Sequence, residues 1–259
     1  MPIAVIFPMV DPPYVAAGGG GSRGRVYAKV ENREIFLRCV ELYTPRDQVV
    51  QRVIVVPPDD LQVMQERYSA HLGFQGVTVT AGGSEWFSCV RRGLEKLDEL
   101  EHNGGVLTDV TIVHDPSCPA VPFPLLDALE EALGKMKEAA GVVAVLPSRS
   151  AFADLAGKWV SEYVDMAKVH EVQSPQIFRR KALAEAYARR QAGKFEAETF
   201  VDDAELVITA GFKVATIAGS RLNQRIDSEE MVRLAKDLIA HTPKPKPKTP
   251  LSPFGEAEW

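Results

Sequence analysis

Four groups of residues in this 259-residue chain have types and spacings suited to handling phosphate. The first is Ala16-Ala17-Gly18-Gly19-Gly20-Gly21-Ser22-Arg23, with Lys29 further along. Glycines placed after a first β-strand let backbone N–H groups approach a phosphate, because no Cβ intrudes. Arg23 adds a fork that can hold phosphate oxygens two at a time. No G-K-[ST] follows, so this is not a Walker A loop, and no helical pattern opens at once as a dinucleotide fingerprint requires. A plain flexible loop is the other reading. The second group is Thr80-Ala81-Gly82-Gly83-Ser84, followed by Cys89-Val90-Arg91-Arg92-Gly93-Leu94. It reads as a strand, a glycine turn and a helix whose N-terminus can receive an anion. An ordinary strand-to-helix turn has the same appearance. The third is Ile112-Val113-His114-Asp115-Pro116, closing a strand. An Asp at the carboxyl end of a central strand lies on the ligand-binding edge of an open α/β sheet. Beside a phosphate it suits Mg²⁺, with Asp202 and Asp203 as candidate second acids; a cap or turn role is the alternative. The fourth, Gln173-Ser174-Pro175-Gln176-Ile177-Phe178, reads as a loop entering a helix, since Pro175 keeps the residue before it extended.

The elements that must position these groups follow from hydrophobic period. Short Val/Ile runs at 3–7, 53–56, 77–80, 110–113 and 142–146 suit strands covered on both faces. Between them, Leu61, Met64, Tyr68 and Leu72 recur at helical spacing, as do Val90, Leu94 and Leu97, and then Leu125, Leu129 and Leu133. Asp59 or Asp60 is placed to cap the first of these helices. The alternation predicts right-handed crossovers and a parallel or mixed sheet. Further on we expect a strand over 162–169, a helix over 178–191, a helix over 202–209, a strand over 213–217, and a helix over 228–239 capped by Ser228. The T-P-K-P-K-P-K-T-P run after His241 cannot pack as helix or central strand and reads as an extended solvated tail or a docking segment for a partner subunit.

Composition narrows the function classes. Hydrophobic residues make up 46% and charged residues 25%, which is ordinary globular usage. A net charge of −5 argues against general nucleic-acid binding, although not against a local basic phosphate pocket. The apolar runs are too short to span a bilayer, and no secretion signal is evident. Three widely spaced cysteines, Cys39, Cys89 and Cys118, form no C-x-x-C and fit a reducing cytoplasm. The five histidines offer no zinc-hydrolase pattern.

Taken in order, the four groups resemble the cytidylyltransferases that join CTP to 2-C-methyl-D-erythritol 4-phosphate. That family's pattern runs P-A-A-G-x-G-x-R, P-K, G-G-x-x-R-x-x-S-V-x-x-G-L, V-H-D-A-A-R-P, D-R, T-P-Q-x-F, T-D and N-x-K-x-T. Gly82-Gly83 with Val90 to Leu94, Val113-His114-Asp115 with Pro119, Pro175-Gln176 with Phe178, and Asp202 match it best. The resemblance implies an α/β fold of the nucleotide-diphospho-sugar transferase, Rossmann-like type: an open, mostly parallel twisted sheet with helices on both faces. It implies one domain over 1–241, with a small β-arm near 151–169 that makes a homodimer, and a tail over 242–259. It further implies that CMP passes from CTP to a phosphorylated polyol with Mg²⁺, releasing pyrophosphate, in isoprenoid precursor synthesis. On that pattern Arg23 and Lys29 hold the triphosphate and Arg225 the α-phosphate. Ala16, Ala17, Gly18, Gly19, Gly20, Gly21, Gly82, Gly83, Cys89 and Asp115 contact the nucleotide, and Asp115 also the metal. Asp202 and Met166 face the acceptor.

The chain also departs from the pattern. Residues 9–15 are inserted before the glycine loop. Trp86, Cys118 and Met166 stand where the family has arginines, Cys89 replaces a serine, and Arg225 replaces a lysine. A phosphate pocket that loses three arginines loses charge-assisted bonds of roughly 1.5–3 kcal/mol each. A non-catalytic paralogue that keeps the fold as a nucleotide-binding or interaction subunit is therefore the alternative reading.

Overall fold

The computed structural model describes residues 1–17, 25–195 and 199–243. The glycine run and Arg23 lie outside the described residues, as does the Pro/Lys stretch from 244 onward. Seven strands form the main sheet: β1 (Ile3–Pro8), β4 (Val49–Val56), β5 (Val77–Ala81), β6 (Val110–Val113), β7 (Ala139–Pro147), β10 (His170–Arg179) and β11 (Lys213–Ala218). Their spatial order is β11-β7-β10-β6-β1-β4-β5. Only β10 runs antiparallel to its neighbours, β6 and β7. Two small ribbons stand apart from the sheet: β2 (Lys29–Val30) with β3 (Arg33–Glu34), and β8 (Ala153–Ala156) with β9 (Trp159–Tyr163).

Period-two alternation sends β1 side chains to opposite faces. Ile3, Val5 and Phe7 join one buried cluster, which draws on α2 (Ile35–Glu41), α3 (Leu61–Phe74) and α5 (Phe123–Lys135). Ala4 and Ile6 join the other, with α4 (Trp86–His102), α6 (Arg180–Gln191) and α7 (Asp203–Thr209). The remaining helices are α1 (Pro13–Ala17), which follows β1, and α8 (Glu229–His241). No described helix is long and apolar enough to cross a membrane. Cys39, Cys89 and Cys118 are buried thiols, and no disulfide joins them.

Several local expectations need correction. Residues 173–178 lie in β10 rather than in a loop, and the helix after them begins at Arg180 rather than 178. The reason is burial: Phe178 is fully enclosed and pairs with Thr111 and Gly141 on the two flanking strands. The strand expected over 162–169 is broken after Tyr163. Asp165 accepts a hydrogen bond from Ala167 N at 3.1 Å and starts a 3-10 turn, Met166–Lys168. Asp60 stands at the N-cap of α3 without a side-chain cap bond and accepts instead from the Tyr27 hydroxyl. Ser228 caps α8 as its sequence signature implies, accepting from Met231 N at 3.1 Å. Beyond α8, Thr242 Oγ1 donates to Ala120 O, and Pro243 O accepts from Phe123 N.

Candidate active site

Strand direction decides which residues meet. The carboxyl ends of β1, β4, β5 and β6 share one edge of the sheet, since these strands are parallel. Because β10 is antiparallel to β6, with Gln176 opposite Val113, its early residues Gln173 and Ser174 arrive beside Asp115. The parallel β7–β11 pair brings residues 219–225 to the same edge. This is the face where open α/β sheets bind ligands.

Asp115 is 1% exposed. Its backbone N–H donates to Ser174 Oγ at 2.8 Å, and its Oδ1 accepts from Ser117 N at 2.9 Å. The other carboxylate oxygen accepts from Arg225 Nε at 2.7 Å. Arg225 Nη2 in turn donates to Asp11 Oδ1 at 2.6 Å. Burial opposes the charge on Arg225, but Asp115 and Asp11 outweigh it and hold the guanidinium's pKa above its ordinary value. Two carboxylates converging on one cation form a donor set that also suits a hard divalent ion completed by phosphate oxygens and water. Among the described residues, no three acidic, His or Cys side chains gather into a protein-only metal cage.

Residues around this pair are held by a polar lattice. Gln173 Nε2 donates to Ser220 O and Asn223 O, and Gln173 Oε1 accepts from Ser220 N. A Cβ on Gly219 would crowd Gln173 Oε1 and Leu146 Cγ and disturb these bonds. Asn223 Nδ2 donates to Ser174 O at 2.6 Å. On the opposite side Gln176 Nε2 donates to Asp202 Oδ2 at 2.7 Å, while Asp202 Oδ1 caps α7 through Glu205 N. A cavity of about 30 Å³ lies among Pro12, Tyr14, Trp86, Asp115, Gln176 and Asp202. A larger one, about 410 Å³, opens beside it, lined by Asp11, Pro13, Glu85, Trp86, Phe87, Arg190 and Phe200.

Gly82 and Gly83 form the turn into α4. A Cβ on Gly82 would stand 2.5 Å from Val55 Cγ1, and one on Gly83 would collide with Ser88 Oγ. Cys89 Sγ donates to Gly83 O at 3.1 Å and closes the turn. Trp86 has a partner of its own: its indole N–H donates to Asp203 at 2.8 Å, and the Tyr187 hydroxyl donates to the same carboxylate. Burial pushes the Asp203 pKa up to about 6. His114 is enclosed between the Tyr43 hydroxyl and Cys118 O, and burial lowers its pKa to about 4.

The structure thus brings together Asp115, Arg225 and Asp202, with the Gly82-Gly83 turn and Cys89 further along the same edge, at the carboxyl end of β5. It places Lys29 elsewhere. That side chain is 64% exposed, pairs with Glu34 at 3.6 Å, and lines a separate cleft with Tyr27, Asp60, Arg67 and Tyr68. Met166 sits in its turn before β10 and is not among the residues lining either cavity near Asp115. Ala16 and Ala17 end α1. Sequence reasoning misses Asp11 and Tyr14, whose only signal is membership of the 9–15 insertion. It also misses the work of Gln173, Gln176 and Asp203, although the Gln-Ser-Pro-Gln segment and the Asp202-Asp203 pair mark their places.

Comparison with known proteins agrees with this geometry. A 2-C-methyl-D-erythritol 4-phosphate cytidylyltransferase from Alkaliphilus metalliredigens is 28% identical over 231 residues, covering 87% of this chain and 90% of its own. One from Carboxydothermus hydrogenoformans is also 28% identical, covering 87% and 93%. Among solved structures, 4-diphosphocytidyl-2C-methyl-D-erythritol synthase from Anaerococcus prevotii superposes with a TM-score of 0.72 at 17% identity, covering 92% of this chain and 98% of that one. The cytidylyltransferase of Thermus thermophilus gives 0.69 at 22%, covering 93% and 100%. The family model for 2-C-methyl-D-erythritol 4-phosphate cytidylyltransferase matches residues 14–241, nearly the whole described fold, and the chain belongs to that family.

Proposed function

We propose that this chain transfers a cytidylyl group from CTP to 2-C-methyl-D-erythritol 4-phosphate. The observation that carries the reading is the Asp115–Arg225 pair at the sheet's carboxyl edge, in a chain whose family match spans it. In the reaction, an acceptor phosphate oxygen attacks the α-phosphorus of CTP in line. The new P–O bond forms as the bond to the β-phosphate bridging oxygen breaks, and pyrophosphate leaves. Such transfers need positioning and charge neutralisation more than covalent help from the protein.

Arg225 supplies a fixed guanidinium for the α-phosphate, where charge builds in the transition state. Its planar fork is not equivalent to a lysine, because it holds two oxygens in one plane. Arg23 is assigned to the β- and γ-phosphates; Lys29, in its separate cleft, is given no part in holding them. The N–H groups of Gly18, Gly19, Gly20 and Gly21 are assigned to the same triphosphate. The Gly82-Gly83 turn and Cys89 border the base. Asp202 orients the acceptor. Asp115 is the residue that would hold a magnesium ion brought in with the triphosphate, which supplies neutralising positive charge.

The β8–β9 ribbon supports a homodimer. Leu155, Trp159, Val160 and Tyr163 are all more than half exposed on it, and apolar side chains gathered on an isolated ribbon mark an interaction surface. The experiment for the reaction is pyrophosphate release with CTP, Mg²⁺ and 2-C-methyl-D-erythritol 4-phosphate. Release that depends on both substrates is expected. A folded chain that releases none would overturn the reading in favour of a non-catalytic member.

A further inference from the structure

We propose that Asp11 is an internal counter-ion that closes the Arg225 site in the ligand-free chain, so that phosphate binds by exchange for Asp11. The inference rests on the reading of Arg225 as the phosphate-binding cation. Asp11 comes from the 9–15 insertion, which separates β1 from the glycine loop. Its side chain is 14% exposed, against 12% for Arg225 and 2% for Asp115. Among the described residues, Asp11 and Asp115 both place a carboxylate oxygen on the Arg225 guanidinium. A phosphate oxygen approaching Arg225 Nη2 meets a carboxylate oxygen already seated there at 2.6 Å.

The surrounding chain holds Asp11 in that place. Met9 and Val10 are buried on its N-terminal side, and Pro12 and Pro13 restrict φ on the other. Pro12 and Tyr14 then cover Asp115 and Asp202, leaving about 30 Å³ between them. That is space for one water, not for a phosphate. Asp11 also lines the 410 Å³ cavity next door, so a displaced side chain has room to turn. Binding of a phosphate at Arg225 Nη2 therefore breaks the Asp11 bond and lifts the 12–14 segment.

Calorimetry with inorganic pyrophosphate, and separately with CTP, on wild type, Asp11→Asn and Asp11→Ala tests this. Both variants should bind pyrophosphate at least about tenfold more tightly than wild type, the ratio that 1.4 kcal/mol produces. Equal affinities in the three proteins, or no binding in any, overturn the proposal. Tighter pyrophosphate binding in the variants with no CTP binding in any protein would support the counter-ion and refute the cytidylyl reading. Equal CTP affinity and equal pyrophosphate affinity throughout would do the reverse. A second measurement needs no change at Asp11. Trp86 borders Pro12 and Tyr14 on the small cavity. In a Trp159→Phe, Trp259→Phe chain, saturating pyrophosphate should shift Trp86 emission to the red as the cover lifts. An unchanged spectrum at saturation counts against the proposal.

Discussion

Asp203 offers a sharp test of why tryptophan stands at position 86. The carboxylate is 1% exposed and accepts from Trp86 Nε1 and the Tyr187 hydroxyl. Burial raises its pKa from 3.8 to about 6, in spite of both donors. Between those values the folded chain keeps a proton that the unfolded chain has released. The folded state is therefore favoured below pH 4 and loses that advantage as pH rises through 6. At about 1.36 kcal/mol for each pH unit, the loss totals about 3 kcal/mol. His114 has the opposite slope: its folded pKa is lowered from 6.5 to about 4, so its contribution is lost as pH falls through that range. The two offset each other, so the wild-type profile alone hides both. Subtracting wild type from Asp203→Asn cancels His114 and isolates the carboxylate. Urea unfolding followed by circular dichroism at pH 4 to 8 supplies the free energies. The stability of Asp203→Asn relative to wild type should rise by about 3 kcal/mol between pH 4 and 7. Parallel profiles would refute a buried titrating Asp203, and with it the explanation of Trp86 as its neutral donor.

Other substitutions follow from the same geometry. Arg225→Met removes the guanidinium from the nearly buried Asp115 carboxylate, which should cost about 3–5 kcal/mol in urea unfolding and lower pyrophosphate release by about 10²–10³. Arg225→Lys keeps the charge without the fork and should fall between. Gly82→Ala drives a Cβ to 2.5 Å from Val55 Cγ1 and should destabilise by about 1–3 kcal/mol in thermal melts. Gly73→Ala in α3 meets nothing within 4 Å, and its melting temperature should hold or rise. Trp159→Asp on the exposed ribbon should convert a dimer to a monomer in light scattering while leaving the far-ultraviolet spectrum unchanged.

The parts legible in the sequence are those governed by local burial. The Val/Ile runs of β1, β4, β5, β6 and β7 announce strands because both their faces are covered, and Ser228 announces α8 because its cap bond is local. Strand β10 hides its nature because Gln173, Ser174 and Gln176 are polar. Their side chains do not face water but bond to Ser220, Asn223, Asp202 and Asp115. That pattern appears only once the antiparallel pairing is known. Helix α2, at seven residues, is too short for its period to be distinct. Within the site, Asp115 is legible from its place at a strand end. Its pairing with Arg225 spans 110 positions, and the Arg225–Asp11 bond spans 214. No local signal encodes contacts that distant. The missing arginines at 86 and 118 are visible in the sequence, but what replaces their chemistry is not. Trp86 serves Asp203, and Cys118 is buried beside His114.

The Arg225 site of this fold is proposed to move a cytidylyl group. ³¹P NMR of the chain with CTP, Mg²⁺ and 2-C-methyl-D-erythritol 4-phosphate tests it directly. Pyrophosphate and a new cytidine diphosphate ester should appear in equal amounts, both absent when either substrate is withheld and both suppressed in Arg225→Met. Unchanged CTP and acceptor signals from a folded wild-type chain, or equal product from Arg225→Met, would contradict it.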